Sequence, residues 1–214
     1  ARGSVPVADE DRDIVPNRGG ISFQEFEQGS YVIGGLENWG ASGLAGAWAE
    51  ENTRESIFNA FRRKETFATS GPRISVRFFG GYDIDQLSFS DENVIKSAYE
   101  VGVPMGGDLL EEATDKAPSF LIWAQRDVNG APLQRVQIIK GSISRADSTP
   151  TEEVYDVACS NGLQVDPTTN RCPDNGARVD IETCAISQNT GSAELKVIWT
   201  DPDFDKSDSA FYYI

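Results

Sequence analysis

Phe120-Leu121-Ile122-Trp123-Ala124, Asp127-Val128-Asn129-Gly130 and Val136-Gln137-Ile138-Ile139-Lys140 follow one another past the middle of the chain, and their order decides the fold. The first is a short apolar run and reads as a buried strand. The second carries the Asn-Gly pair that accepts the backbone angles of a tight hairpin turn, and it leads into the third, a second strand. Working outward, Val154 to Ala158, Leu195 to Trp199 and Ala210 to Ile214 each read as a further strand between turn-rich connections. Strands at this spacing predict a mostly antiparallel β-sandwich.

Upstream the texture changes. Ser90 can cap a short helix whose Val94, Ile95, Ala98 and Tyr99 share one face and which ends near Gly102. Gly80-Gly81 marks the start of the β-rich domain, residues 81–214, and the end of a segment over 31–80. In that segment Ser70-Gly71-Pro72 forms a turn, after which Ile74, Val76 and Phe78 alternate with Ser75 and Arg77 in a half-buried strand. Before the turn lies a helix. Asn52 caps it, Glu55 stands three residues on as in a capping box, and Ile57, Phe58, Ala60 and Phe61 form its apolar face. Arg62-Arg63-Lys64 complement the negative end of its dipole. The stretch from Tyr31 to Ala49 is rich in glycine and small apolar residues, a composition for closely packed backbone, and its glycines lack the spacing of a phosphate-binding loop. Residues 1–30 mix charged residues, Pro and Gly without a period and read as a connecting or surface segment. The chain reads as starting mid-protein, and its end inside the apolar pattern Phe211-Tyr212-Tyr213-Ile214 predicts a truncated domain.

Charge and histidine narrow the chemistry. The chain has 214 residues, with 34 acidic against 19 basic for a net charge of −15, so nucleic acid and anionic membranes are repelled. No apolar run approaches the ~20 residues of a membrane span, and Ala1-Arg2-Gly3-Ser4 lacks the features of a signal peptide. There is no histidine, which removes the usual zinc-hydrolase, Ser-His-Asp and Cys-His centres from these residues. No catalytic residue and no metal-ligand set is therefore expected in the chain itself.

The three cysteines, Cys159, Cys172 and Cys184, are too widely spaced for a C-x-x-C metal site. They sit among turn-forming residues with little to bury, where a cross-link holds shape that packing does not. Joining Cys159 to Cys172 contributes about 3 kcal/mol by restricting the unfolded chain. Pairing Cys172 with Cys184 closes a similar loop, and three free thiols is the remaining option. A disulfide carries a periplasmic or secreted location with it.

Five phrases, in order, resemble the bacterial family known as domain of unknown function 3604. They are Gly43 to Glu55 (GLAGAWAEENTRE), Phe61 to Ile74 (FRRKETFATSGPRI), Val103 to Leu109 (VPMGGDL), Val136 to Gly141 (VQIIKG) and Trp199 to Asp205 (WTDPDFD). The resemblance covers roughly residues 35–214. It implies a protein whose larger N-terminal part is a PHP-type metallohydrolase barrel, holding zinc, manganese or iron on His and Asp ligands, followed by a β-rich C-terminal domain. Residues 31–80 are then the last elements of that PHP-like α/β barrel, and the fold class is α+β. All the metal ligands would lie upstream of Ala1, and no residue here matches one. Similar members carry a further cysteine a little beyond the position of Ile214, which implies a partner for Cys184.

Arg54, Thr69, Ser70 and Arg73 fall at element ends in the part resembling a barrel rim, where they are candidates for contacts with an anionic substrate oxygen. The plainer reading is that Arg54 covers a helix start and that Thr69 and Ser70 satisfy the turn before Pro72. Asp201-Pro202-Asp203-Phe204-Asp205 has alternate carboxylates but lacks the glycine and distal glutamate of a calcium loop, so a solvated turn is expected. Two functions remain. In one the chain completes a secreted metal-dependent hydrolase of phosphoester, ester or amide bonds, with the barrel and a small-molecule substrate as partners. In the other it is a non-catalytic β-sandwich binding or structural module. An oligomer stays open.

Overall fold

Strand pairing in the computed structural model follows the apolar alternation of the sequence, and the description covers residues 43–110, 115–187 and 189–214 with the backbone of strands at 23–26 and 29–32. The chain divides into two units, Ala1–Gly46 with Phe67–Arg73 and Ala47–Thr66 with Ile74–Ile214.

In the first unit β1 (Phe23–Phe26) and β2 (Gly29–Val32) pair antiparallel. The segment 1–30 is thus not purely connecting, and a boundary at residue 30 falls inside β2. Short strands β3 (Ala45–Ala47) and β4 (Thr66–Ala68) form a two-stranded sheet. Here the small residues are required by contact: a Cβ on Gly43 would lie 2.0 Å from the Thr69 carbonyl oxygen, and one on Gly46 would lie 2.4 Å from the Phe67 ring.

The second unit opens on α1 (Arg54–Arg62). Its cap is Thr53 rather than Asn52: the Thr53 hydroxyl accepts from Ser56 N at 3.3 Å. The Ser56 hydroxyl accepts in turn from Glu51 N at 3.1 Å, two residues before the cap, so the helix start is held by Thr53 and Ser56 rather than by the expected Asn52–Glu55 capping box. After α1 come β5 (Ser75–Gly81), α2 (Val94–Val101), β6 (Val103–Pro104), β7 (Ser119–Gln125), β8 (Arg135–Ile143), β9 (Pro150–Cys159), β10 (Glu194–Thr200) and β11 (Ser209–Tyr213). Asn93 rather than Ser90 precedes α2.

These strands make a four-stranded sheet in the order β10-β7-β5-β6 and a three-stranded sheet in the order β11-β8-β9, with antiparallel neighbours. Phe120, Ile122, Ala124 and Leu195 of the first meet Val136, Ile138, Tyr155 and Val157 of the second in one core. On the other face Phe79 and Leu121 pack against Ile84, Val94 and Ala98, so α2 covers the back of the sheet. Strand β7 is therefore buried on both sides, which accounts for its unbroken apolar run. The arrangement is sandwich-like and mostly antiparallel, with few helices.

Two expectations change. The Asp127–Gly130 turn forms, with Gly130 N donating to Asp127 O at 3.0 Å. It does not close a hairpin, because β7 and β8 belong to different sheets and the turn carries the chain across the sandwich. Gly80-Gly81 are the last residues of β5 and pair with Phe120 and Ser119, so they end a strand of the central sheet rather than separate two bodies. Gly81 is glycine for a steric reason, since a Cβ there would lie 2.8 Å from the Val101 carbonyl oxygen.

Candidate functional site

The four rim candidates are placed as follows. Arg54 is the exposed first residue of α1 in the second unit. Thr69, Ser70 and Arg73 belong to the first unit, Ser70 and Arg73 exposed and Thr69 half-buried. Thr69 is committed to the backbone: its N donates to Leu44 O at 2.8 Å and its hydroxyl accepts from Leu44 N at 3.1 Å. That pair of bonds ties Thr69 across to the segment before β3, 25 residues away, rather than to the turn before Pro72. Nearby in sequence, Glu65 is 2% exposed. It faces Arg63 Nε at 3.5 Å and Arg77 Nη1 at 3.6 Å and accepts from the Tyr99 hydroxyl. Arg77 lies 3.5 Å over the Trp48 ring. Burial, then the Glu65 carboxylate, push the Tyr99 phenol up.

The largest departure from expectation is the Trp199–Asp205 phrase, which is not a solvated turn at its start. Asp201 is 2% exposed and Lys140 5% exposed, and Lys140 Nζ stands 2.8 Å from Asp201 Oδ2. The same ammonium donates to Asp203 O at 2.6 Å, while the Tyr212 hydroxyl donates to Asp201 Oδ2 at 2.6 Å. The Tyr155 hydroxyl lies 2.9 Å from Asp203 Oδ2 and 2.8 Å from Glu153 Oε2. Burial and the adjoining carboxylates raise both phenols well above the ordinary tyrosine range, so neither ionises near neutral pH. Strand β8 supplies the lysine: the alternation that turns Val136 and Ile138 inward turns Lys140 inward too. That signal was present in the sequence.

This buried network anchors a loop that walls a cleft of about 260 Å³. Tyr82, Phe204 and Tyr212 line it, the Tyr212 ring also packing 4.4 Å from Phe120 of the core, and Arg145, Asp208 and Ser209 stand among its polar lining, Arg145 Nε donating to Ser209 Oγ at 3.4 Å. The loop is held by itself, Asp203 N donating to Asp201 Oδ1 at 3.0 Å and Ser207 N to Asp205 Oδ1 at 2.8 Å. Lys206, also at the cleft, is bonded to Asp115.

Cys159 and Cys172 are joined, with Cα atoms 5.6 Å apart, and Cys184 is free and exposed. The disulfide loop is pinned by a buried carboxylate that sequence reading missed. Asp156 is 3% exposed. It accepts from Cys172 N at 2.7 Å, Gln137 Nε2 at 2.7 Å and Arg171 Nη1 at 3.3 Å, with Arg135 Nη1 at 3.7 Å. Burial acts to raise its pKa, but these donors together outweigh burial and the net direction is down. A register shift in the β8–β9 pairing beside Val136 and Gln137 lets Tyr155, Asp156 and Val157 all be buried in succession.

Among the described residues no group of three or more His, Cys, Asp or Glu side chains is placed to hold a metal ion. Among the described residues no helix is long and apolar enough to cross a membrane. No curated protein and no solved structure matches the chain. One protein family does, described as "Protein of unknown function (DUF3604)", and the match runs over residues 13–214. Since that span takes in both units and every phrase quoted above, the chain belongs to the DUF3604 family.

Proposed function

We propose that the chain is a non-catalytic portion of a longer, secreted or periplasmic metal-dependent hydrolase of phosphoester, ester or amide bonds. Its zinc, manganese or iron would be held by an upstream PHP-like barrel of the same protein. The observation that supports this reading is α1. Phe58 and Phe61 are 57% and 54% exposed, side by side one turn apart, while Ala60 on the same helix is fully buried. Two adjacent phenylalanines on a short helix mark a surface that a partner covers. In this reading the partner is the barrel, whose edge α1 and β4 complete. Arg54 of the second unit, and Ser70 and Arg73 of the first, are each what this reading offers to anionic oxygens of a small-molecule substrate. The Cys159–Cys172 bond fits an oxidising compartment.

The test compares this chain alone with the longer protein on generic phosphoesters and esters in zinc or manganese. Metal-dependent turnover is expected from the longer protein only. Turnover by this chain alone contradicts the proposal. If the longer protein is inert as well, the second reading gains: a β-sandwich binding or structural module, which the ring-lined cleft favours.

A further inference from the structure

We infer that the cleft beside Phe204 binds one ring of a neutral saccharide, an activity that stands whether or not the longer protein hydrolyses anything. Size sets the first limit. A cleft of about 260 Å³ falls just below the roughly 300–1,000 Å³ of sites that enclose drug-sized molecules, so it takes one ring rather than a chain.

Chemistry then narrows the ligand. Tyr82 and Phe204, with the part of Tyr212 not packed on Phe120, bring aromatic carbon to the lining, against which the C–H face of a ring can lie with its hydroxyls at the edge. At that edge Arg145 Nε donates to Ser209 Oγ at 3.4 Å, which leaves the terminal nitrogens of the guanidinium as donors beside the Asp208 carboxylate, the mixture that hydroxyl groups need. An anionic ligand fits less well. Asp208 shares the lining with Arg145, Lys206 is already bonded to Asp115, and the chain carries a net charge of −15 that repels anions at a distance.

The walls are also fixed before a ligand arrives. The Tyr212 hydroxyl is tied to Asp201, itself paired with Lys140, and the segment bearing Phe204 is closed by the Asp201 and Asp205 hydrogen bonds. Little ordering cost is left for binding, which lets an open cleft of this size hold a ligand of a dozen heavy atoms with a dissociation constant on the order of 1 mM. The sugar has two sources, a free monosaccharide or the terminal residue of a glycan, and both present the same ring.

The test titrates the full chain, followed by aromatic and amide NMR signals, with glucose, galactose, mannose and N-acetylglucosamine. Their methyl glycosides and short oligosaccharides form a second arm, and phosphate and benzoate serve as anions. Saturable shifts are expected at Tyr82, Phe204 and Tyr212 with at least one sugar. A response to free sugars and glycosides alike points to the ring itself, and a response to glycosides and oligosaccharides alone points to a glycan end. Arg145→Ala and Phe204→Ala should each weaken binding about tenfold. Arg145 is exposed, so its variant keeps the test valid if Phe204→Ala fails to fold. The inference is overturned if no sugar moves these signals, if phosphate or benzoate binds there more tightly than any sugar, or if Arg145→Ala binds the sugar unchanged.

Discussion

The sandwich and the stretch from Ser160 to Ser187 are joined end to end, yet they are built on different physics. In the sandwich, strand after strand contributes alternate apolar side chains to a shared core, and Leu121, Ile122 and Ile138 are fully buried. In the other stretch Val179 and Ile181 are 63% and 93% exposed, and the chain is shaped by turns. Asp166, Asp174 and Asp180 each accept from backbone N–H groups two residues on. Isolated bridges such as Val179 with Ile186 replace full strands. Burial offsets the entropy of ordering the first region; a disulfide and the Asp156 carboxylate must do so for the second.

That contrast can be broken from either side, and the largest effect should come from charge buried inside the sandwich. Lys140→Ala leaves Asp201 buried without its ammonium, and urea unfolding should show a loss of about 3–5 kcal/mol. The double variant Lys140→Met with Asp201→Leu should recover most of it, because an apolar pair carries no desolvation cost. A loss below about 1 kcal/mol for the single variant would mean that the pair is solvated and the core is purely apolar.

Next in size is the cross-link. Cys159→Ser with Cys172→Ser should cost about 3 kcal/mol by the chain-entropy model, read from the same unfolding curves. In the oxidised protein a maleimide should label Cys184 alone, since it is free and exposed. Labelling at Cys159 or Cys172 without prior reduction would remove the staple from the account.

How much of this was legible follows the same division. The strands at 119–125, 194–200 and 209–213 were readable because apolar runs between turns are a local signal. The pairing of strands was not, since the Asp127–Gly130 turn looks the same whether it closes a hairpin or crosses between sheets. The rim residues Arg54, Thr69, Ser70 and Arg73 were named from resemblance, and Thr69 proved to bond with Leu44. The buried polar groups were hardest. Lys140 fell on the inward phase of its strand, a signal that charge alone disguised. Asp156 gave none, because a register irregularity rather than alternation turns it inward.

The smaller effect belongs to Asp156. Asp156→Asn should cost about 1–3 kcal/mol, the scale for weakening a buried, charge-assisted set of hydrogen bonds. Its pKa is lowered from 3.8, so the carboxylate stabilises the fold above that value, and this contribution fades as pH falls through the lowered native value. The wild type should therefore lose part of its advantage over the variant on acidification. An unchanging difference between them down to pH ~2 would show that folding does not lower the Asp156 pKa.

The most direct test of the two-region account is amide hydrogen exchange of the native chain before and after reduction of Cys159–Cys172. The account predicts that protection over residues 160–187 falls sharply on reduction, while amides in β5, β7, β8 and β10 keep theirs. Loss of protection throughout the sandwich, or none in either region, would contradict it.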